Sequence, residues 1–427
     1  MKDLNTQKRN GAGAPSRQAV FIAALIALVL CAGMNIYHYS LEGARGLYVW
    51  HPLLVLKILL YMGLVPFSLA ILGLPLEKLA RKGAMKAMRW LSFSASILVS
   101  LISVALLAFL IIVPRTGHVE AAQLALIEPA KGIVLQEQSV PTLRNAANST
   151  TDVSADPQLL RLACSSDPHW GADTANAQAR TQILESIAQR RPDAFFMLGD
   201  TVETGNSAVQ WNFALSDLEA LIPQVPLRPL MGNHDALFGG QYLYRKAFWP
   251  ASFKSDSGSP YYWSIDAGMA TIVAVDLPWG TENFGSRQRA WLEKTLAAAD
   301  PHKPLIVLSH SYFYASGYDD PVFGSPWYDH YQNIPALVPL FEKYGVDLVV
   351  SGHNHYQELL AHNGVAYAIV GSMGGIPDPE PTYRSPWSQW IAVGVFGWLD
   401  IEVLQGRLVL VFRDERGAER HRAELRY

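Results

Sequence analysis

The chain has 427 residues, more than one ordinary domain needs, so we expect two regions. Its formal net charge of −3 gives no reason to expect nucleic acid as a partner. Two cysteines, Cys31 and Cys164, exclude a disulfide framework. Hydrophobic residues make up 50% of the chain, and the excess lies before residue 115.

Three apolar runs near the N-terminus are each close to the roughly 20 residues that cross a hydrocarbon core of about 30 Å. They predict a membrane region over residues 1–115 with helices at about 18–40, 52–76 and 90–114. Lys57 would have to extend its amine to the interface. The alternative is a signal peptide followed by buried helices, but these runs are longer than most globular helices.

Basic residues flank these runs unevenly, at Lys2, Lys8, Arg9, Arg17, Lys78, Arg81, Lys82, Lys86 and Arg89. The positive-inside rule then places the N-terminus and the loop after the second helix in the cytoplasm. Three crossings bring everything after Arg115 to the outer side, and the periplasmic face of a bacterial inner membrane is our expectation. The basic loop can also be read as a solvated helix without topological meaning.

Residues 116–157 are predicted to form a linker, because "RNAANSTTDVSADP" is small, polar and without aromatic residues. From Leu159 onward short apolar strands alternate with amphipathic helices, which predicts sheets covered by helices in an α/β domain over 158–427. The last strands, near 365–370, 397–403 and 408–412, have no helices between them. They are predicted to form one antiparallel edge.

Polar side chains follow five of the apolar runs. The stretches "DPH", "GD", "GNHD", "SH" and "GHNH" supply Asp167, His169, Asp200, Asn233, His234, Asp235, His310, His353 and His355. Loops at the carboxyl ends of strands converge on one crevice in open α/β sheets, so we expect these side chains to meet. Each stretch alone has a plain explanation as a turn or a structural residue. "GHNH" is the hardest to dismiss, since two imidazoles beside a glycine suit converging ligands.

In this order, Asp-x-His, Gly-Asp, Gly-Asn-His-Asp, His and Gly-His-x-His resemble the calcineurin-like metallophosphoesterase superfamily over residues 159–412. Segments such as "QRAWLEKTLA" and "FEKYGVDLVVSGHNH" are similar to its purple-acid-phosphatase-like and cyclic-nucleotide-phosphodiesterase-like branches. The resemblance implies a four-layer α-β-β-α sandwich that hydrolyses phosphate monoesters or diesters.

The resemblance also implies two metal sites that share Asp200 as a bridging carboxylate. One ion would bind Asp167, His169, Asp200 and His355, and the other Asp200, Asn233, His310 and His353. Mixed imidazole and carboxylate ligands favour Mn, Fe or Zn over calcium. Two such ions activate water and neutralise phosphoryl charge.

His234 is implied as the general acid for the leaving oxygen, and Asp235 is the candidate to orient its ring. In one feature the sequence departs from the purple acid phosphatases. Their tyrosine ligand of ferric iron, shortly after Gly-Asp, is replaced by Glu203, and His169 is an additional histidine. This departure argues against an Fe(III)-tyrosinate centre.

The sequence does not identify the substrate. The aromatic and acidic loops 311–333 and 378–390 either line the site or pack on the domain surface. A lipid bilayer beside the domain suggests a lipid-linked phosphate or pyrophosphate as one hypothesis. The alternative is a membrane receptor that binds a phosphorylated ligand without turnover, although a degenerate site would be expected to lack a ligand. A transporter has little support, since few charges lie within the apolar runs.

Overall fold

The computed structural model describes residues 112, 115–133, 159–319 and 326–427. Apart from residue 112, the three predicted membrane helices lie outside these ranges, so they stay a prediction. Among the described residues, no helix combines the length and the apolar character that a bilayer crossing requires. The described residues from Arg115 onward belong to one compact unit, Val113–Tyr427.

The described part folds into two β-sheets and six α-helices. The strands are β1 Leu160–Ser165, β2 Ala194–Met197, β3 Leu227–Pro229, β4 Trp263–Asp266, β5 Thr271–Ala274, β6 Leu305–Leu308, β7 Leu348–Ser351, β8 Gln357–His362, β9 Val365–Val370, β10 Ser388–Ala392, β11 Gly397–Leu404, β12 Arg407–Asp414 and β13 Glu419–Arg426. The helices are α1 Ala177–Arg190, α2 Ala208–Leu221, α3 Asn233–Ala236, α4 Gln241–Phe248, α5 Ser286–Ala297 and α6 Asn333–Tyr344. Short 3₁₀ helices lie at Pro129–Lys131 and Leu237–Gly239.

The first sheet has the strand order β13-β12-β11-β1-β2-β3, and the second has the order β10-β8-β9-β7-β6-β5-β4. β1, β2 and β3 run parallel to one another, as do β5, β6 and β7. The carboxyl ends of these strands therefore lie along one edge of each sheet. This arrangement brings together the loops in which sequence analysis found the polar residues.

Alternating side chains of the strands build a four-layer sandwich, as the resemblance implied. Phe196 points into the core between the sheets, whereas its neighbour Phe195 packs against the helices that cover the first sheet. Trp211 of α2 lies in that same outer core. In the second sheet Val349 packs outward against Phe341 of α6. All four of these aromatic side chains are fully buried.

The prediction of an antiparallel edge at the C-terminus is confirmed for β11 and β12, which pair antiparallel, and is wrong for β9. β9 lies inside the second sheet, parallel to β7 and antiparallel to β8, while β11 and β12 extend the first sheet next to β1. Strand partners are chosen by packing between the layers, and neighbours in sequence need not be neighbours in a sheet.

The first part of the predicted linker is packed against the domain. Leu126 forms a parallel bridge with Leu227, and the backbone N–H of Ile127 donates to the carbonyl of Leu227 over 2.9 Å. Leu124 and Leu126 pack on the apolar core beneath α2 and α4. The free edge of β3 exposes unpaired backbone groups, and this segment satisfies part of them. Residues 134–158 lie outside the described ranges.

A buried ion cluster attaches α1 to the first sheet. Asp400 of β11 is 2% exposed and accepts hydrogen bonds from Arg413 (Nη2, 2.8 Å) and from Arg190 at the end of α1 (Nη2, 2.7 Å). Near the start of α1, Arg180 donates to the carbonyl of Pro168 over 2.9 Å. The helix is thereby fixed at both the sheet and the loop that contains Asp167 and His169.

We expect Asp400→Ala to lower the free energy of unfolding by about 3–5 kcal/mol, because two guanidinium groups lose their shared buried partner. Glu424→Ala is the matched control, since the 3.3 Å pair of Glu424 with Arg407 is half exposed and should contribute less than about 1 kcal/mol. Urea unfolding followed by tryptophan fluorescence measures both. Equal losses in the two variants would contradict a structural role for the buried cluster.

Candidate metal centre

The seven predicted metal ligands converge from both sheets. The donor atoms of Asp167, His169 and His355 lie within 4.8 Å of one another, and so do those of Asp200, His310 and His353. A third such group joins His169, Asp200 and His234. The residues that follow β1, β2, β3, β6 and β7 thus meet at one place, and Asp200 Oδ2 lies within 4 Å of both His169 Nε2 and His310 Nε2.

The first expected metal position is surrounded by carboxylate and imidazole atoms. Asp167 Oδ1 lies 3.4 Å from His355 Nε2 and 3.9 Å from His169 Nε2. His169 Nε2 is also 3.8 Å from Asp200 Oδ2. These distances exceed normal hydrogen-bond lengths and leave room for an ion between the atoms.

The second expected position is lined by an amide oxygen, two imidazoles and the carboxylate of Asp200, which lie closer together. Asn233 Oδ1 lies 3.0 Å from His310 Nε2 and 2.9 Å from His353 Nδ1. The two imidazole nitrogens are 3.3 Å apart, and His310 Nε2 is 3.4 Å from Asp200 Oδ2. Asn233 begins the short helix α3, directly after β3 and the Gly232 turn.

Outer hydrogen bonds fix the tautomers that metal binding needs. The Nδ1–H of His310 donates to the carbonyl of Leu198 over 2.7 Å, and the Nδ1–H of His355 donates to the carbonyl of Ile376 over 2.6 Å. The lone pair of each Nε2 then points into the site. Asp167 Oδ1 and His169 Nε2 are buried without a hydrogen-bond partner among the described residues. One ion at the first position would satisfy both atoms, so the side chains there fit a metal ion.

The backbone bends sharply to present these ligands. Asp167 (φ 60°), His169 (φ 46°), Asp200 (φ 50°) and His353 (φ 69°) all have positive φ angles, which are uncommon for residues other than glycine. Such strain concentrates at functional sites. Gly199 at φ 99° precedes Asp200, and a Cβ atom there would lie 2.6 Å from His310 Nδ1. Glycine is required at this position because two strand ends approach each other so closely.

The electrostatics of the site favour a bound cation. Burial by itself would raise the pKa of Asp200, but the adjacent His310 and His234 outweigh it and hold that pKa well below its usual range. Burial opposes protonation of His310, yet Asp200 and Asp167 raise its pKa to about 9. Burial opposes protonation of His355 as well, but Asp167 outweighs burial and raises the pKa of His355 to about 9. Ionised carboxylates therefore surround the nitrogen atoms that would bind the ions.

Glu203 contacts two residues of the site and was recognised from the sequence only as a departure from the family pattern. Its Oε2 accepts a hydrogen bond from His169 Nδ1 over 2.7 Å, and its backbone carbonyl accepts one from His234 Nδ1 over 2.8 Å. Burial would raise the pKa of Glu203, but His169 and His234 outweigh it and lower the pKa. The position of Glu203 three residues after Asp200 was the sequence feature that could have indicated its contact with the site.

Asp235 lies in a different position from the one expected. Its carboxylate is fully buried and accepts the backbone N–H groups of Val202 and Gly232, each over 3.0 Å. Burial and the nearby Asp200 raise its pKa to about 7. Asp235 therefore holds the turn before Asn233, while Glu203 contacts the ring of His234.

Both aromatic loops reach the site. Trp327 stacks on the imidazole of His353 with ring centroids 5.0 Å apart and an interplanar angle of 15°, and Trp279 meets that imidazole edge-on at 5.3 Å. Asp378 accepts the backbone N–H of His355 over 2.7 Å and the hydroxyl of Tyr318 over 3.0 Å. The described parts of the loops 311–333 and 378–390 therefore reach the candidate ligands through Trp327, Tyr318 and Asp378.

Comparisons with known proteins agree with this geometry. The family model described as calcineurin-like phosphoesterase matches residues 160–357. The chain is 32% identical over 126 residues to Fe(3+)-Zn(2+) purple acid phosphatase 12 of Arabidopsis thaliana, covering 28% of this chain and 24% of that protein. It is 24% identical over 204 residues to the protein named "Probable inactive purple acid phosphatase 1" of the same plant, covering 43% of this chain.

The chain spans only 32% and 38% of the lengths of two Arabidopsis relatives, the proteins named "Probable inactive purple acid phosphatase 1" and "Probable inactive purple acid phosphatase 27". Among solved structures, purple acid phosphatase PPD1 from yellow lupin (Lupinus luteus) seeds has a TM-score of 0.54 at 20% identity. The match covers 63% of this chain and 54% of that chain. This likeness supports the fold of the domain.

We expect Glu203→Ala to weaken metal binding by about 10–100-fold, because His169 loses the acceptor that fixes its tautomer and orientation. Glu203→Gln keeps an acceptor oxygen at the same place and should lose much less. Competition with a chelator, followed by elemental analysis of the retained metal, measures both variants. An alanine variant that holds its ions as tightly as the unmodified chain would exclude this role of Glu203.

Proposed function

We propose that this chain, whose residues 160–357 match the calcineurin-like phosphoesterase family model, hydrolyses phosphate esters at a dinuclear metal centre. The observation that supports this proposal best is the convergence of Asp167, His169, Asp200, His310, His353 and His355, with Asn233 in contact with His310 and His353. A site that had lost its function would be expected to lack at least one ligand residue. All of the expected ligand residues are present in this chain. The family and the geometry support phosphoester hydrolysis in general and leave the natural ester open.

A bound pair of ions would supply positive charge for the phosphoryl oxygens and would make a water molecule more acidic. The protein's own contribution is position and proton transfer. Asp167, Asn233 and the histidines hold a fixed cradle, and beside it Trp327 stacks on His353 while Trp279 packs edge-on against both rings. A phosphate ester in this cradle would have its leaving oxygen near His234.

His234 has the geometry of a general acid. Its Nδ1–H donates to the carbonyl of Glu203, which leaves Nε2 to carry the proton that the leaving oxygen needs. Burial lowers the pKa of His234, but Asp200 and Glu203 outweigh burial and raise it, which favours the protonated form. The backbone N–H of His234 donates to Asp200 Oδ1 over 2.8 Å and so couples the acid to the bridging carboxylate.

We also propose that the domain is anchored to the outer face of a membrane. The proposal rests on the three apolar runs before residue 115 and on the basic residues that flank them. In a bacterium this face would be the periplasmic side of the inner membrane. A phosphate ester in the periplasm or at the membrane surface would then be the accessible substrate.

The purified full chain is expected to contain two metal ions and to hydrolyse at least one class in a screen of phosphomonoesters, phosphodiesters and pyrophosphates. Asp200→Ala should lose most of both metal content and turnover, because it removes the bridging carboxylate. His302→Ala, an exposed histidine before the amino end of β6 and thus at the opposite end of that strand from His310, is the control and should change neither. Two bound ions and phosphate binding without turnover of any class would favour the receptor hypothesis.

His234→Ala should retain both ions and lose about 10²–10⁴-fold in turnover, the usual contribution of a positioned acid. The loss should shrink for esters of acidic alcohols such as p-nitrophenol, because such leaving groups depart without a proton. Turnover numbers for a series of leaving groups, together with metal analysis, test this. Unchanged turnover on every accepted ester would remove His234 from the role of acid.

A further inference from the structure

The outward face of α2 is unusually apolar. Val209 is 64% exposed and Phe213 is 60% exposed, the two highest values among the large hydrophobic side chains of the described residues. Their spacing of four places them side by side on the helix, and the exposed Ser216 and Ala220 lie on the same side, next to the half-exposed carboxylate of Asp217. Single exposed apolar residues are ordinary, but an adjacent pair forms a patch that marks an interaction surface.

The neighbouring helix α4 adds aromatic and basic groups to this patch. α2 and α4 pack together through Trp211 and Tyr244, whose ring centroids are 6.2 Å apart. On the outer side, Tyr242 is 36% exposed, and Arg245 and Lys246 are exposed as well. Tyrosine and basic residues beside apolar ones are typical of surfaces that contact phospholipid headgroups.

The chain enters the domain at this same face. Arg115 follows directly on the predicted membrane helix 90–114, and its guanidinium lies 4.2 Å from the ring centroid of Tyr242. Lys246 Nζ donates to the carbonyls of Arg115 and Gly117 over 2.8 Å and 2.7 Å. On α2, Asn212 accepts the backbone N–H of Glu120 over 3.0 Å. The segment that leaves the predicted membrane region is thus attached to both helices.

We propose that the face formed by Val209, Phe213, Tyr242, Arg245 and Lys246 rests on the phospholipid bilayer. The inference depends on the proposed membrane anchoring, and it goes further by stating which side of the domain faces the lipid. A bilayer is favoured over a second copy of this chain because the predicted membrane helix ends within one residue of the Arg115 contact. The basic side chains would bind lipid phosphates, and Phe213 would enter the headgroup region.

This orientation has a consequence for the metal centre. The backbone N–H of Gly205 donates to the carbonyl of His234 over 2.9 Å, and Ser207 caps the N-terminus of α2 two residues later. The His234 side of the centre is therefore continuous with the end of α2 that carries Val209. Docking of this face would hold the metal centre close to the bilayer surface.

The test uses the full chain with Cys31→Ser in nanodiscs of phosphatidylethanolamine and phosphatidylglycerol. An environment-sensitive fluorophore is attached at Phe213→Cys and, as the matched control, at Ala290→Cys on the exposed side of α5. Cys164 is fully buried and should not react. We expect the label at 213 to shift to the blue, to be quenched several-fold more by nitroxide-bearing lipids than the label at 290, and to be protected from iodide.

Each other outcome overturns the docking proposal and identifies what failed. If the chain does not float with liposomes, the membrane anchoring fails as well, whereas hydrolysis of soluble esters still reports on the proposed enzyme activity. If the chain floats and the two labels are equally open to iodide, only the docking face is wrong. Protection from iodide without quenching by lipid nitroxides would indicate another protein surface, such as a second copy, in place of the bilayer.

Discussion

The site depends on one buried carboxylate that several strand ends must share. Asp200 follows β2, which lies between β1 and β3 in the first sheet, and its oxygens face His169 from one side and His310 of the second sheet from the other. An ionised carboxylate with so little exposure is stable only when cationic groups or hydrogen-bond donors surround it. The loops are arranged around this requirement, and the positive φ angles of Asp167, His169 and Asp200 are its consequence.

The outer contacts explain how the ligands keep their orientation. His310 and His355 each donate their far N–H to a backbone carbonyl, and His169 donates its own to Glu203. Backbone carbonyls are fixed by the fold, whereas a carboxylate depends on a side chain that is partly open to solvent. The orientation of His169 can therefore adjust more than the orientations of His310 and His355. Glu203, its partner, is also the residue at which this chain differs from the tyrosine-containing family pattern.

Asp200 and Asp235 lie close together in space but have different partners, and their pKa values therefore shift in opposite directions. Asp200 faces histidines and stays ionised, whereas burial and Asp200 together raise the pKa of Asp235 to about 7. Asp235 is thereby confined to backbone N–H groups and to holding the turn, although its position beside His234 in sequence suggested a catalytic role. Local sequence shows which residues are adjacent, but the direction of each side chain follows from the packing around it.

The sequence by itself indicated the candidate site residues and the alternation of strands and helices, because motifs at strand ends and apolar periodicity are local signals. The four-layer arrangement and the assignment of ligands to two metal sites came from the resemblance to the metallophosphoesterases. The sequence did not determine that β11 and β12 join the first sheet, that Leu126 extends β3, that Glu203 orients His169, or that Trp327 covers His353. These features join residues far apart in the chain or in unrelated loops. They depend on which surfaces pack together, and only the tertiary structure decides that.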